Sequence, residues 1–193
     1  MTEILNQFAL SFDLPILDWI QANLQSGFMD AIMPIITKFG DAGLFWMVCA
    51  ALLAIFPKTR RIGLGMAFAM AMGLLVCNLT LKPLVARIRP YDLQETLGVT
   101  INLLIEKQHD FSFPSGHTIA SFEACTVMML GNKKLGIPAT LLAIAIAFSR
   151  LYLYVHYPTD VIASVILGTI FGIIGYAIAK KLPMKKGKYE KVY

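Results

Sequence analysis

Charge is what this chain has least of. Acidic and basic residues make up 15% of its 193 positions, against 57% for apolar ones. A soluble domain is nearer one quarter charged and one half apolar, so the composition excludes an ordinary soluble domain and points to a single membrane domain over 1–193. Three cysteines occur, Cys49, Cys77 and Cys125, all in apolar runs with no CxxC and no metal-ligand spacing. They read as small buried hydrophobes. There is no GxGxxG, no Walker-type GxxxxGK and no HExxH, which removes the signatures of dinucleotide binding, P-loop chemistry and zinc proteases. The opening residues MTEILNQF lack a basic n-region, so no cleavable signal peptide is expected. Net charge is +5, yet the positive residues collect between apolar runs and at the C-terminus. That is not a nucleic-acid patch, and no nucleic-acid partner is expected.

Long apolar runs are what the chain has most of. Ala42 to Pro57, Ile62 to Leu81, Thr118 to Leu130 (broken by Glu123), Leu135 to Ser149 (continuing past Arg150 to Val155) and Val161 to Ala179 read as five spans. Ile62 to Leu81 is the clearest, since about 1.5 Å per residue carries it across a roughly 30 Å hydrocarbon core. Residues 1–40 read as interfacial helices: Leu14 to Leu24 puts Ile16, Leu17, Ile20 and Leu24 on one face, and Phe28 to Ile36 is similar but shorter. One further span drawn from this region would make six. The expected fold class is therefore all-α, a polytopic membrane helical bundle of five to six transmembrane helices.

Lysine and arginine orient it. Eleven of the seventeen fall on one side of five alternating spans, after Pro57, after Leu130 and in the basic tail 180–193. That side is expected to be cytoplasmic. Lys82, Arg89 and Arg150 stay on the other side, within three polar clusters: Lys82-PLVARI-Arg89-Pro90, Pro114-Ser115-Gly116-His117, and Ser149-Arg150-LYLYV-His156-YPT-Asp160. Each lies at a span edge, where charge is costly and usually functional. The stretch 91–113 between the first two is long for a structureless connection and reads as a partly helical extracytoplasmic cap loop. His109 within it reads as a solvated loop histidine, with substrate contact as the alternative. Small residues at Gly65, Ala69 and Gly73, and at Gly168 and Gly172, are spaced for close helix packing within the fold.

The three clusters together suit a phosphate group. Lys82, Arg89 and Arg150 supply fixed cations, the arginines bidentately. Ser115 and Gly116 open a span, where a helix N-terminus offers free N–H groups to an anion. His156 has Asp160 four residues on, and a carboxylate on one ring nitrogen leaves the other free to attack. His117 has no such partner nearby in sequence and is better placed to protonate a leaving oxygen. Glu123, about six residues into its span, should face the interior or a polar cavity.

The pattern KxxxxxxRP, PSGH and SRxxxxxHxxxD resembles the type 2 phosphatidic acid phosphatase family, whose members include membrane lipid phosphatases and soluble vanadium haloperoxidases. All three motifs are complete, between Lys82 and Asp160. The resemblance implies a metal-independent phosphatase with no cofactor. In it His156 forms a phosphohistidine, Asp160 orients it, and His117 protonates the leaving group. Lys82, Arg89, Ser115, Gly116, His117 and Arg150 hold the phosphate. The spans argue for the membrane branch, with the lipid bilayer and a membrane lipid phosphate as partners. Among substrates the reading favours undecaprenyl diphosphate over phosphatidylglycerophosphate or phosphatidate. A non-hydrolytic lipid-phosphate binder or transporter is the rival from another class. The oligomeric state is open.

Overall fold

The computed structural model describes residues 2–183; the basic residues beyond Pro183 in the expected tail lie outside that range. Helix α1 (Thr2–Phe8) continues through a π-helical turn (Ala9–Asp13) into α2 (Leu14–Leu24) and then α3 (Gly27–Lys38). A 3-10 turn (Asp41–Gly43) leads to α4 (Leu44–Ile55), α5 (Arg60–Met72), a π-helical stretch (Gly73–Leu81), α6 (Lys82–Val85) and α7 (Pro90–Thr96). After an irregular segment come α8 (Gly116–Gly131), α9 (Lys133–Tyr152) and α10 (Pro158–Lys181). No strand occurs among the described residues.

Local chemistry sets the boundaries. Ser26 accepts a hydrogen bond from the Met29 amide at 3.3 Å and opens α3. Asn132 does the same for α9 through Lys134 at 3.0 Å. Both are N-cap bonds to otherwise orphaned amides. Pro90 and Pro158 start α7 and α10, where a missing N–H costs nothing. Ala42 and Gly43 have φ of 48° and 66°. This left-handed pair breaks the helix between α3 and α4.

Among the described residues, four stretches are long and apolar enough to cross a membrane: Gly27–Ile55, Arg60–Thr96, Lys133–Tyr152 and Pro158–Lys181. The expected interfacial segment from Phe28 to Ile36 thus heads the first of these, and α4 by itself is only about 18 Å long at 1.5 Å per residue. Helix α8, expected as a span, is about 24 Å long by the same measure. It packs among α5, α9 and α10. Outward-facing Leu75, Leu79, Leu141, Ile144, Ile166 and Ile173 leave the bundle with an apolar exterior, suited to lipid rather than water.

The small residues work as expected within one chain. Gly65 and Gly175 bring α5 and α10 together, and Gly168 and Gly172 seat α10 against Ile119, Phe122 and Thr126 of α8. Gly73 leaves room for the Glu123 carboxyl. One apolar cluster, with Trp46, Met66, Val127 and Ile146, fills the bundle. A second, with Leu17, Ile20, Tyr91, Tyr152, Tyr154 and Tyr157, lies at the end that carries the motifs. There α2 is tied to the α9–α10 connection: Tyr154 donates to Asp18 and Gln21 to the Tyr152 carbonyl, both at 2.6 Å. Of the expected α2 face, Leu17 and Ile20 are buried, while Leu24 is exposed.

A side chain at Gly175 would meet the Gly65 carbonyl at 2.5 Å and the Ala69 amide at 2.8 Å. Gly175→Val is therefore expected to destabilise the fold by about 1–3 kcal/mol through overpacking, read as a lowered unfolding midpoint in detergent. Gly27→Ala, with nothing within 4 Å, should leave the midpoint in place.

Candidate active site

Ala86, with φ 48°, turns the chain out of α6 into an extended segment. Side chains two apart in extended backbone share a face, yet Arg87 and Arg89 end on different partners because Arg89 itself starts the turn into α7. Arg87 reaches inward to Asp13 and Asp160, each at 2.6 Å. Arg89 reaches to the Val155 carbonyl at 2.6 Å, to the Asp110 carbonyl at 2.9 Å and to the Asp110 carboxylate. Lys82 donates to the other Asp110 oxygen at 2.5 Å.

Lys82, Arg89, Gly116, His117, Arg150 and His156 line one cavity of about 1040 Å³. The three clusters thus meet. Two expected site residues do not reach the cavity wall. Ser115 is fully buried, its amide donating to Ser164 at 2.9 Å and its hydroxyl accepting from Thr118 at 3.0 Å. The first of these bonds ties the start of α8 to Ser164 of α10. Asp160 Oδ2 lies 3.6 Å from His156 Nδ1.

His156 is 2% exposed. Its Nε2 lies 3.4 Å from an Arg89 amine nitrogen. Arginine only donates, so Nε2 is the acceptor nitrogen and the proton sits on Nδ1. Nδ1 faces Ser112 Oγ at 3.5 Å and Asp160 Oδ2 at 3.6 Å. Burial first, then Arg89, Arg150, Lys82 and His117, hold His156 well below the usual histidine range. A neutral imidazole with an unprotonated Nε2 is a competent nucleophile. The Asp160 carboxylate accepts from Ser112 at 2.5 Å, Arg87 at 2.6 Å and the Tyr157 amide at 3.1 Å. Every donor points at it, as an ionised carboxylate requires.

His117 has an acidic partner that sequence distance concealed: Asp41 Oδ1 lies 2.8 Å from its Nε2, across 76 positions. Arg150 is 1% exposed and donates to Thr37 Oγ1 at 2.5 Å, while its Nε and second amine nitrogen have no partner among the described residues. Charged donors left free in a buried wall suit an incoming anion. Asp110 lies outside the expected set, yet it bridges Lys82 and Arg89. Burial alone would raise its pKa, but the hydrogen bond and charge of Lys82, with those of Arg89, outweigh it and bring it to about 2. Arg87, Ser112, Asp13 and Asp41 were equally absent from the expected set. Only Arg87, inside the first cluster, carried a signal in sequence. His109 is exposed and sits at the cavity mouth.

The cavity is also lined by Met47, Ala50 and Ala54 of α4, by Ala67 and Ala71 of α5, by Leu74 of the π-helical stretch and by Glu123 of α8. Gly43 to Ala54 spans about 17 Å at 1.5 Å per residue.

The chain as a whole is similar to known proteins. The PAP2 superfamily model matches residues 62–183. An undecaprenyl-diphosphatase from Sulfolobus acidocaldarius is 30% identical over 92% of this chain and 83% of its own. A lipid A 4'-phosphatase from Bacteroides thetaiotaomicron is 31% identical over 82% of this chain and 73% of its own. Among solved structures, LpxE from Aquifex aeolicus superposes with TM-score 0.73 at 28% identity, covering 86% of this chain and 94% of that one.

Arg150→Lys keeps the charge and loses the planar fork. Orthovanadate, a tetrahedral oxyanion, is expected to bind this variant about tenfold or more weakly, the scale of one charge-assisted hydrogen bond. Calorimetry in detergent reads it, and unchanged affinity would remove Arg150 from the anion site.

Proposed function

The chain belongs to the PAP2 superfamily, and we propose that it hydrolyses undecaprenyl diphosphate to undecaprenyl phosphate by a metal-independent phosphohistidine mechanism. The observation that carries this reading is the pairing, in one cavity, of His156 with its unprotonated Nε2 and Arg150 with donors that have no partner among the described residues. Lys82, Arg89 and the α8 N-terminus at Gly116 complete a cradle for three phosphoryl oxygens. Ser115 serves it by fixing the start of α8.

His156 Nε2 attacks the terminal phosphorus. The bridging P–O bond breaks, and its electron pair leaves on undecaprenyl phosphate. Asp160 faces the Nδ1–H as the ring gains positive charge. Water then attacks the N-bound phosphorus, giving its proton to His117 as the P–N bond breaks and restoring neutral His156. With a phosphomonoester the leaving group is an alkoxide, and His117 must protonate it.

The apolar cavity lining from α4 and α5 suits a hydrocarbon tail that stays in the bilayer while the headgroup enters the cradle. The name of the Sulfolobus relative supports the diphosphate substrate. The lysine and arginine bias supports an extracytoplasmic active face on the cell membrane. Phosphatidylglycerophosphate, phosphatidate and a lipid A phosphate are the competing substrates. Phosphate release from a panel of these four lipids tests the choice, and faster turnover of any competitor would replace undecaprenyl diphosphate.

His156→Ala is expected to abolish turnover of every substrate, and trapping labelled phosphohistidine separates hydrolysis from mere binding or transport. His117→Ala should cripple monoester hydrolysis more than diphosphate hydrolysis; equal losses would reassign the acid. Activity should survive EDTA in full. The pH dependence has a defined sign. A histidine held below its ordinary value stays neutral, and nucleophilic, as pH falls through 6.5. With diphosphate substrate, kcat/KM of the His117→Ala variant should therefore stay level from pH 8 to about 6. An acid limb centred near 6.5 would count against a neutral His156.

A further inference from the structure

Behind Asp160, on the side away from the cavity, lies a second fully buried carboxylate. Asp13, from the π-helical turn before α2, is 0% exposed, as is Asp160, and Arg87 between them is 3% exposed. Asp13 Oδ2 accepts from Arg87 at 2.6 Å and from the Thr159 hydroxyl at 2.8 Å. Its Oδ1 accepts from the Thr159 amide at 3.0 Å. Arg87 spends its other amine nitrogen on Asp160 at 2.6 Å and Thr159 at 2.8 Å, and stacks on Tyr157 with 3.8 Å to the ring centre. Thus the carboxylate behind the nucleophile is shared with a guanidinium, and that guanidinium is shared with Asp13.

The charges decide what this does. On its cavity side His156 faces Arg89, Arg150 and Lys82, with His117 beyond and Asp110 bridging Lys82 and Arg89. When Nε2 bonds to phosphorus, the ring becomes cationic and needs a net anion behind it. Asp160 with Arg87 alone sums to zero. Asp160, Arg87 and Asp13 together sum to −1. In a buried, low-dielectric setting that one charge is poorly screened.

We propose that Asp13 is a positioning residue for catalysis: by taking up half of Arg87, it keeps a net negative charge on the Arg87–Asp160 pair that stabilises His156 as it accepts phosphorus. The proposal rests on His156 being the nucleophile. It gives the segment before α2 a part in the chemistry that no motif records, since Asp13 lies 69 residues before Lys82. Asp13 acts through Arg87 and Asp160 and touches no substrate.

The test is single-turnover formation of phosphohistidine from labelled lipid diphosphate. The amplitude counts competent sites and the rate constant reads the chemical step. Asp13→Asn is isosteric; it removes the charge and turns one of the two acceptor oxygens into a donor. The rate constant per labelled site is expected to fall about tenfold, one pKa unit's worth of charge stabilisation, with KM unchanged and Asp13→Glu recovering most of it. The double variant D13N/R87Q, which returns −1 to Asp160, should be faster per site than D13N. A packing role predicts the reverse order, with a lowered amplitude and an unchanged rate for D13N, and that result overturns the proposal. Thr159→Val takes a donor from Asp13 and keeps its charge. Its rate per site should stay near the parent's, which keeps the proposal testable if D13N accumulates poorly, and a tenfold loss there also overturns it. Absence of phosphohistidine in the parent protein would instead overturn the nucleophile itself.

Discussion

The buried carboxylate of Asp160 is the point on which the site end of this bundle hangs. It is fully enclosed, and an enclosed charge must be paired and hydrogen-bonded or it destabilises the fold. Its partners come from separate parts of the chain: Arg87 from the segment after α6, Ser112 from the approach to α8, and the Tyr157 amide at the head of α10. Meeting these demands brings the three clusters together. The same group lies 3.6 Å from His156, so what satisfies the carboxylate also places the imidazole.

The cavity side has the opposite difficulty, an excess of positive charge. Lys82, Arg89 and Arg150 converge at the edge of apolar helices, where like charges repel and little water screens them. Asp110 offsets two of them, and Thr37 gives Arg150 one partner. The Nε and second amine nitrogen of Arg150 have no partner among the described residues. Such donor excess is held by the surrounding fold and used when a tetrahedral anion arrives, a pre-organisation that needs no rearrangement at the moment of reaction. His156 gains from it too, since the cations that would hold phosphate also keep the ring neutral.

Some of this was open to reading from sequence. Apolar runs located the helices because a bilayer demands long uncharged segments. Lys82, Arg89, Gly116, His117, Arg150 and His156 stood out because charge at span edges is rare, and they share one cavity. Ser115, at a helix N-terminus, is a phosphate candidate by sequence; in the fold its amide donates to Ser164. The segment from Phe28 to Ile36 reads by sequence as an interfacial helix or as part of a sixth span, and in the fold it heads the apolar stretch Gly27–Ile55, which has a left-handed break inside it. Asp13, Asp41 and Asp110 were unreadable: an aspartate in a connecting or terminal segment is ordinary, and nothing local marks the one that will be buried.

The sequence by itself determined the class of the protein, an all-helical membrane bundle, and the polar residues that its apolar spans could tolerate only for use. These follow from composition and spacing, which act along the chain. The tertiary structure alone decided which acid faces which base. Asp41 meets His117 across 76 positions, and Asp13 meets Arg87 across 74. Ion pairs form between neighbours in space, and helices packed through glycine contacts bring distant segments within hydrogen-bond reach in a way no one-dimensional pattern records.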